Sequence, residues 1–198
     1  LTLFADRNVD RVIFGWAMPA SMTQFFNPFF IIVFGSIFSV MWVKLSKIGK
    51  NPSIPLKFCF GIVQLALGFL VTKVGFQFVS ESFQVPLLTL VFLYMLHTTG
   101  ELFLSPIGLS MVTKLSPKSM AGTALGAWFL SFAIANYVGG KIAAITGGHG
   151  GSDEAMSIGE GLNQYLNIFS TIGYVLLGIA LIIFLLNKPI KKLMHGVE

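Results

Sequence analysis

The sequence predicts an all-α integral membrane protein of about five transmembrane helices, and three observations carry that prediction. The first is composition. The 198 residues are 55% hydrophobic and only 11% charged, with a mean hydropathy of +0.81, whereas soluble domains carry roughly 25% charged residues. A soluble core of this length has too little interior to hide so much apolar surface, so the bilayer is the solvent. The second is a series of apolar runs near the length of about 20 residues that a spanning helix needs. The third is the alternation of lysine-rich and lysine-poor loops between those runs.

The first span covers residues 20–43 and has no charge inside it. Near its start lie Gln24, Asn27 and Pro28. Asn27 offers both a donor and an acceptor about two turns into the predicted helix, and on this pattern alone it reads as an interhelical hydrogen bond, worth about 0.6 kcal/mol in membranes. The second span covers residues 56–79, with Lys57 at one end and Lys73 near the other. Gly61, Gly68 and Gly75 recur along it every seven residues, which reads as a seam where another helix comes close.

The third span, residues 86–112, holds the one internal carboxylate, Glu101. An ionised group near the bilayer centre costs about 2.5–3.5 kcal/mol on insertion scales, so it faces a bundle interior or a water-filled cavity. Its functional reading is a substrate or proton group, and its structural one is a carboxylate pinning two helices. His97, Glu101, Ser105 and Gly108 follow one another at helical spacing on a single small and polar face. His97 is a proton-coupling candidate and also a plain hydrogen-bonding neighbour. Pro106 removes a backbone donor beside Glu101 and frees the carbonyl of Leu102. This makes it a candidate hinge, on equal terms with a packing kink.

The fourth span, residues 120–146, opens with Gly122 and Gly126, a pair of small residues that admits a neighbouring helix. Trp128, Phe132 and Asn136 share one face of it, and Trp128 reads as pocket wall or as a packed aromatic. Lys73 and Lys141 sit near the outer ends of their spans, where snorkelling accounts for them and an outer gate is the alternative. The fifth span, residues 162–186, is uncharged.

Lys44, Lys47, Lys50 and Lys57, then Lys114 and Lys118, then Lys188, Lys191 and Lys192 fall at one side of this arrangement. The positive-inside rule makes that side cytoplasmic, with the N-terminus outside and the C-terminus inside. The other side carries Glu81 and the segment from Gly147 to Gly161, with Asp153, Glu154 and Glu160, and its Gly-rich stretch is expected to be flexible. This distribution accounts for the net charge of +5 without nucleic acid. The lone cysteine, Cys59, says nothing about redox compartment. The three histidines are far apart, and no nucleophile–base set, metal-ligand cluster or phosphate loop is visible. The first residues do not resemble a signal peptide. An odd number of spans with an outside N-terminus fits a C-terminal half better than a whole protein.

Several segments resemble the proton-coupled oligopeptide transporters, a branch of the major facilitator superfamily. They are LTLFADR at residues 1–7, Pro19-Ala20-Ser21, Asn27-Pro28, GELFLSPIGLSMVTKLSP at residues 100–117 and Gly126-Ala127-Trp128-Phe129-Leu130. The resemblance covers most of the chain, and the long run from Gly100 is its specific part. It implies the end of the family's seventh helix followed by helices eight to twelve, the C-terminal half of a bundle of twelve or more helices. It also implies that Glu101 receives the α-ammonium of a di- or tripeptide and takes part in proton exchange, that Asn27 lines the same pocket, and that Ser105 and Trp128 are pocket wall. The expected partners are the peptide, the lipid bilayer and the missing N-terminal half of the same chain. No cofactor is expected beyond the coupling proton, and the expected place is the bacterial inner membrane. The alternatives are a related carrier for another nitrogenous solute and a non-transporting membrane scaffold.

Overall fold

The computed structural model describes residues 1–146 and 158–194. The stretch Gly147–Gly151 with His149, the acidic Asp153 and Glu154, and His195 lie outside the described residues. A short helix α1 (Thr2–Asn8) leads through strand β1 (Val9–Asp10) to a hairpin of strands β2 (Val12–Ile13) and β3 (Trp16–Ala17). A 3₁₀ turn, Ala20–Phe25, then passes into helix α2 (Phe26–Lys47). Helix α3 (Ile54–Phe76) returns, strand β4 (Val85–Pro86) pairs in parallel with β1, and helix α4 (Leu87–Leu115) follows. Helices α5 (Ala121–Thr146), α6 (Ile158–Leu185) and α7 (Asn187–Leu193) complete the described chain.

Five helices among the described residues are long and apolar enough to cross a membrane. The short strands have no forerunner in the sequence reading. Residues 20–25 form a 3₁₀ turn that runs into α2 as one apolar span from Ala20, so Asn27 is in the first turn of α2 and is the eighth residue of that span. Pro28 falls in that same first turn, where a missing N–H breaks no intrahelical bond.

The core is a three-helix block, α3 between α4 and α6. The glycines of α3 set its spacing. A β-carbon at Gly61 would lie 2.9 Å from the carbonyl oxygen of Gly100, and one at Gly100 would lie 2.8 Å from that of Gly61. Each glycine therefore makes room for the other helix's backbone. Further along, Gly68 receives the His97 ring and Gly75 receives Thr89. The seven-residue glycine repeat is thus the seam read from the sequence, and its partner is α4. On the α6 side, Gly173 fits over Leu70 at 2.8 Å from an added β-carbon, and the buried Cys59 thiol donates to the carbonyl of Ala180 at 3.3 Å.

Aromatic rings fill the rest. Phe4 makes edge contacts with Tyr165 and Phe169, each at 5.4 Å between centroids, which locks α1 onto α6. Phe103 stands edge-on between Phe38 and Trp42, tying α2 to α4. At the lysine-rich end, Ser53 bonds Asn187 at 2.6 Å, and Lys57, only 7% exposed, lies 4.7 Å above the Trp42 ring. Lys73, nearer the opposite end, donates to the Tyr174 hydroxyl at 3.0 Å, and Lys141 lies over the Tyr137 ring. No residue in the apolar window of α5 is buried. A β-carbon at Gly122 or Gly126 would meet nothing within 4 Å, so this small pair receives no helix among the described residues; α5 meets α4 through Trp128 instead.

Candidate functional site

Glu101 is the fifteenth residue of the 29-residue α4, the midpoint of an apolar helix. Its carboxylate is exposed to a cavity of about 520 Å³ whose wall also includes Asn27, Tyr94, His97, Ser105 and Phe132. Among the described residues, Glu101 is the single carboxylate in that wall. Leu1, Gln24 of the 3₁₀ turn, Asn27 of α2, Leu65 of α3, the polar face of α4 and an aromatic ring of α5 build it.

The amide of Asn27 donates to Thr98 Oγ1 at 3.1 Å and to Glu101 Oε2 at 3.4 Å. The interhelical bond read from the sequence therefore exists, and it ends on the cavity's carboxylate. Thr98 is fully buried, one turn before Glu101. It fixes the asparagine from below, so the amide arrives already oriented. Spacing alone would have flagged Thr98, since residues three apart share a helix face. Tyr94, a turn earlier, is fixed in turn by a side-chain bond to Thr23. The 3₁₀ turn is thereby tied to the same helix that carries Glu101.

His97 lies on the cavity wall, but its ring is laid into the α3 seam. It rests on Gly68 and meets Phe69 edge-on at 4.5 Å. Its Nε2 is buried and has no hydrogen-bond partner among the described residues. Ser105 lines the cavity one turn beyond Glu101. Pro106 is inside α4, which continues past it as one helix to Leu115.

Trp128 is not among the cavity's lining residues. Its indole covers Gly108, where an added β-carbon would come within 2.7 Å of Cζ2. Trp128 stands edge-on to Phe132 at 6.2 Å, and it is Phe132 that reaches the cavity. Asn136, on the same face, bonds back to the carbonyl of Phe132. The α5 contribution to the wall is thus a ring braced by a second ring, which is in turn seated on a glycine of α4.

The chain matches the family model described as PTR2, POT family, over residues 1–156. The chain belongs to the POT family. It is similar to dipeptide and tripeptide permease B of Xenorhabdus bovienii, 33% identical over 195 residues, which are 98% of this chain and 39% of that one. It is similar to dipeptide and tripeptide permease A of Edwardsiella piscicida, 34% identical over 196 residues, 99% of this chain and 39% of that one. Among solved structures it superimposes on a peptide transporter POT in complex with sulfate, with a TM-score of 0.82 and 32% identity, covering 99% of this chain and 36% of that one. A POT family transporter in complex with a thioalcohol-conjugated peptide aligns with a TM-score of 0.76 and 27% identity, covering 96% of this chain and 36% of that one. This POT-family chain therefore spans about 39% of the length of its curated relatives.

Proposed function

We propose that this chain forms one side of a proton-coupled carrier of di- and tripeptides that works by alternating access, and that Glu101 holds the peptide's amino end. The observation that carries the reading is a carboxylate at the midpoint of an apolar helix, open to a cavity and steadied by Asn27. A cavity of about 520 Å³ is of the size that accepts small organic ligands, roughly 300–1,000 Å³. The relatives' names, dipeptide and tripeptide permease, support the choice of cargo.

The mechanism follows from charge. A short peptide presents one ammonium, one carboxylate and variable side chains. Glu101 complements the ammonium, and the low dielectric of the cavity strengthens the attraction relative to water. Ser105 and Phe132 bound the space beside it and leave room for different side chains, with Trp128 bracing Phe132. The part of the carrier that this chain does not span supplies the contact to the peptide's carboxylate. Sites between two halves near the midplane, opened alternately by rocking, are the common transporter scheme.

Glu101 is the first proton-coupling candidate, because the carboxylate that would hold the ammonium is also a group that exchanges a proton. His97 is a second proton-coupling candidate, and Pro106 a hinge for α4. No bond of the cargo is made or broken, and the coupling ion is the only cofactor. In this reading the chain corresponds to the end of the family's seventh helix and helices eight to twelve. The lysine-rich end faces the cytoplasm of a bacterial inner membrane, and the C-terminus lies inside.

The test is uptake of a labelled dipeptide into liposomes holding the full-length parent, with and without an inward proton gradient. Gradient-driven uptake by the wild type, lost in Glu101→Gln with normal insertion, is the expected result. Unimpaired uptake by Glu101→Gln would remove Glu101 from the substrate site. No uptake by well-folded wild type would turn the reading to another solute.

A further inference from the structure

The segment Val12-Ile13-Phe14-Gly15-Trp16-Ala17 has no charged side chain and no polar one beyond the indole N–H, yet it forms a hairpin whose apolar side chains are largely exposed among the described residues. Ile13 pairs with Trp16, and the two residues between them, Phe14 at φ 50° and Gly15 at φ 82°, both occupy the left-handed region. That is the two-residue turn that matches strand twist, and Asn-Gly is its favoured occupant. A bulky phenylalanine is a poor choice for the first position. Nor does packing retain it: Phe14 is 106% exposed, Trp16 53% and Val12 59%.

The hairpin is held rigidly from below. Arg11 donates to the carbonyl of Met18 at 2.6 Å and to both the carbonyl and the carboxylate of Asp6 at 3.1 Å, and the Met18 amide closes the base on the carbonyl of Arg11 at 3.0 Å. Its height is set by the chain. Ala17 is three residues from Ala20, where a 28-residue apolar span begins, and three residues reach at most about 11 Å. The exposed apolar series then continues onto that span at Met22, Phe25 and Phe29.

We infer that this hairpin is a membrane-interface anchor, with Phe14 and Trp16 seated in the headgroup–acyl boundary of the leaflet opposite the lysine-rich end. Aromatic side chains are enriched at that depth, and a cluster of apolar groups on a polar-free turn is what such a boundary accepts. The Arg11–Asp6 pair stays on the water side and fixes the angle of insertion. The inference rests on the span that starts at Ala20 and is independent of the cargo.

The experiment uses the full-length parent in phospholipid vesicles, with its other cysteines replaced and a nitroxide attached at Phe14→Cys. A second label at Val12→Cys leaves the turn's own residues intact, and one at Ser82→Cys, on the exposed loop before β4, is the aqueous control. Power saturation compares collisions with oxygen, which partitions into lipid, and with a water-soluble nickel chelate. The expected result is an oxygen-to-nickel ratio several-fold higher at positions 12 and 14 than at position 82. Nickel access equal to that at position 82 would put the hairpin in water and overturn the inference. Shielding from both reagents would mean that protein covers it, and would overturn it equally.

Discussion

Glu101 and Asn27 lie 74 residues apart in sequence and are joined by a contact of 3.4 Å between an amide and a carboxylate. The amide is held by the buried Thr98, so it faces Glu101 without having to be ordered when cargo arrives. Interhelical bonds of this kind contribute about 0.6 kcal/mol in membranes, equivalent to roughly threefold in a binding constant. Asn27→Ala should therefore weaken dipeptide affinity by about threefold, and Thr98→Val, which frees the asparagine amide, should do the same. Competition binding on the purified parent checks both; an unchanged affinity in each variant would make the bond structural only. The carboxylate, histidine and serine face of α4 was legible because four-residue spacing is enough to align side chains on a helix. Thr98, three residues before Glu101, shares that face, but a threonine among apolar residues carries no chemical signature. Asn27 does lie about two turns after the span's start at Ala20; only the 3₁₀ form of Ala20–Phe25 was not legible, because nothing in those residues distinguishes it from the start of an α-helix. Trp128 was expected at the cavity wall. It is one residue removed, because Gly108 opens a slot that its indole fills.

At the scale of elements, the glycines of α3 separate fit from function. At Gly61 the obstacles to any side chain are the Leu104 side chain and the backbone oxygen of Gly100, and the oxygen cannot swing aside. Overpacking of a tight contact costs about 1–3 kcal/mol, so Gly61→Leu should lower the thermal midpoint of the detergent-solubilised parent. At Gly108 the obstacle is the Trp128 indole, a side chain able to move. Gly108→Leu should leave the thermal midpoint closer to wild type and reduce dipeptide affinity, as the displaced indole pushes Phe132 into the cavity. Parallel melting and binding curves distinguish the two, and equal melting losses would show Trp128 to be a structural wedge. The α3 repeat was readable because seven residues bring a helix back to nearly the same face. Gly122 and Gly126 carried the same signal without a partner among the described residues, since spacing reports an opportunity for contact and not a contact. The β2–β3 hairpin was not legible at all, because its turn lacks the Asn-Gly signature.

For the whole molecule, hydropathy and lysine placement carry the architecture, because a bilayer leaves a chain few choices but to cross as helices. Five apolar helices were countable in advance, and the packing order, α3 between α4 and α6, was not; it depends on which glycine meets which side chain. The lysine distribution predicts that a membrane-impermeant thiol reagent applied to intact cells labels Ser82→Cys and does not label Lys47→Cys or Lys188→Cys. Labelling at position 188 from outside would invert the proposed orientation.

The reciprocal fit of Gly61 and Gly100 also bears on how a mutational survey of this protein would look. A growth-based scan scores every substitution by lost transport, and positions 61, 68, 75 and 100 would rank with position 101 as intolerant. Four of those five positions report the distance between two helix axes. Only a scan scored in parallel for surface abundance would separate them, and the position that stays abundant while inactive marks the chemistry.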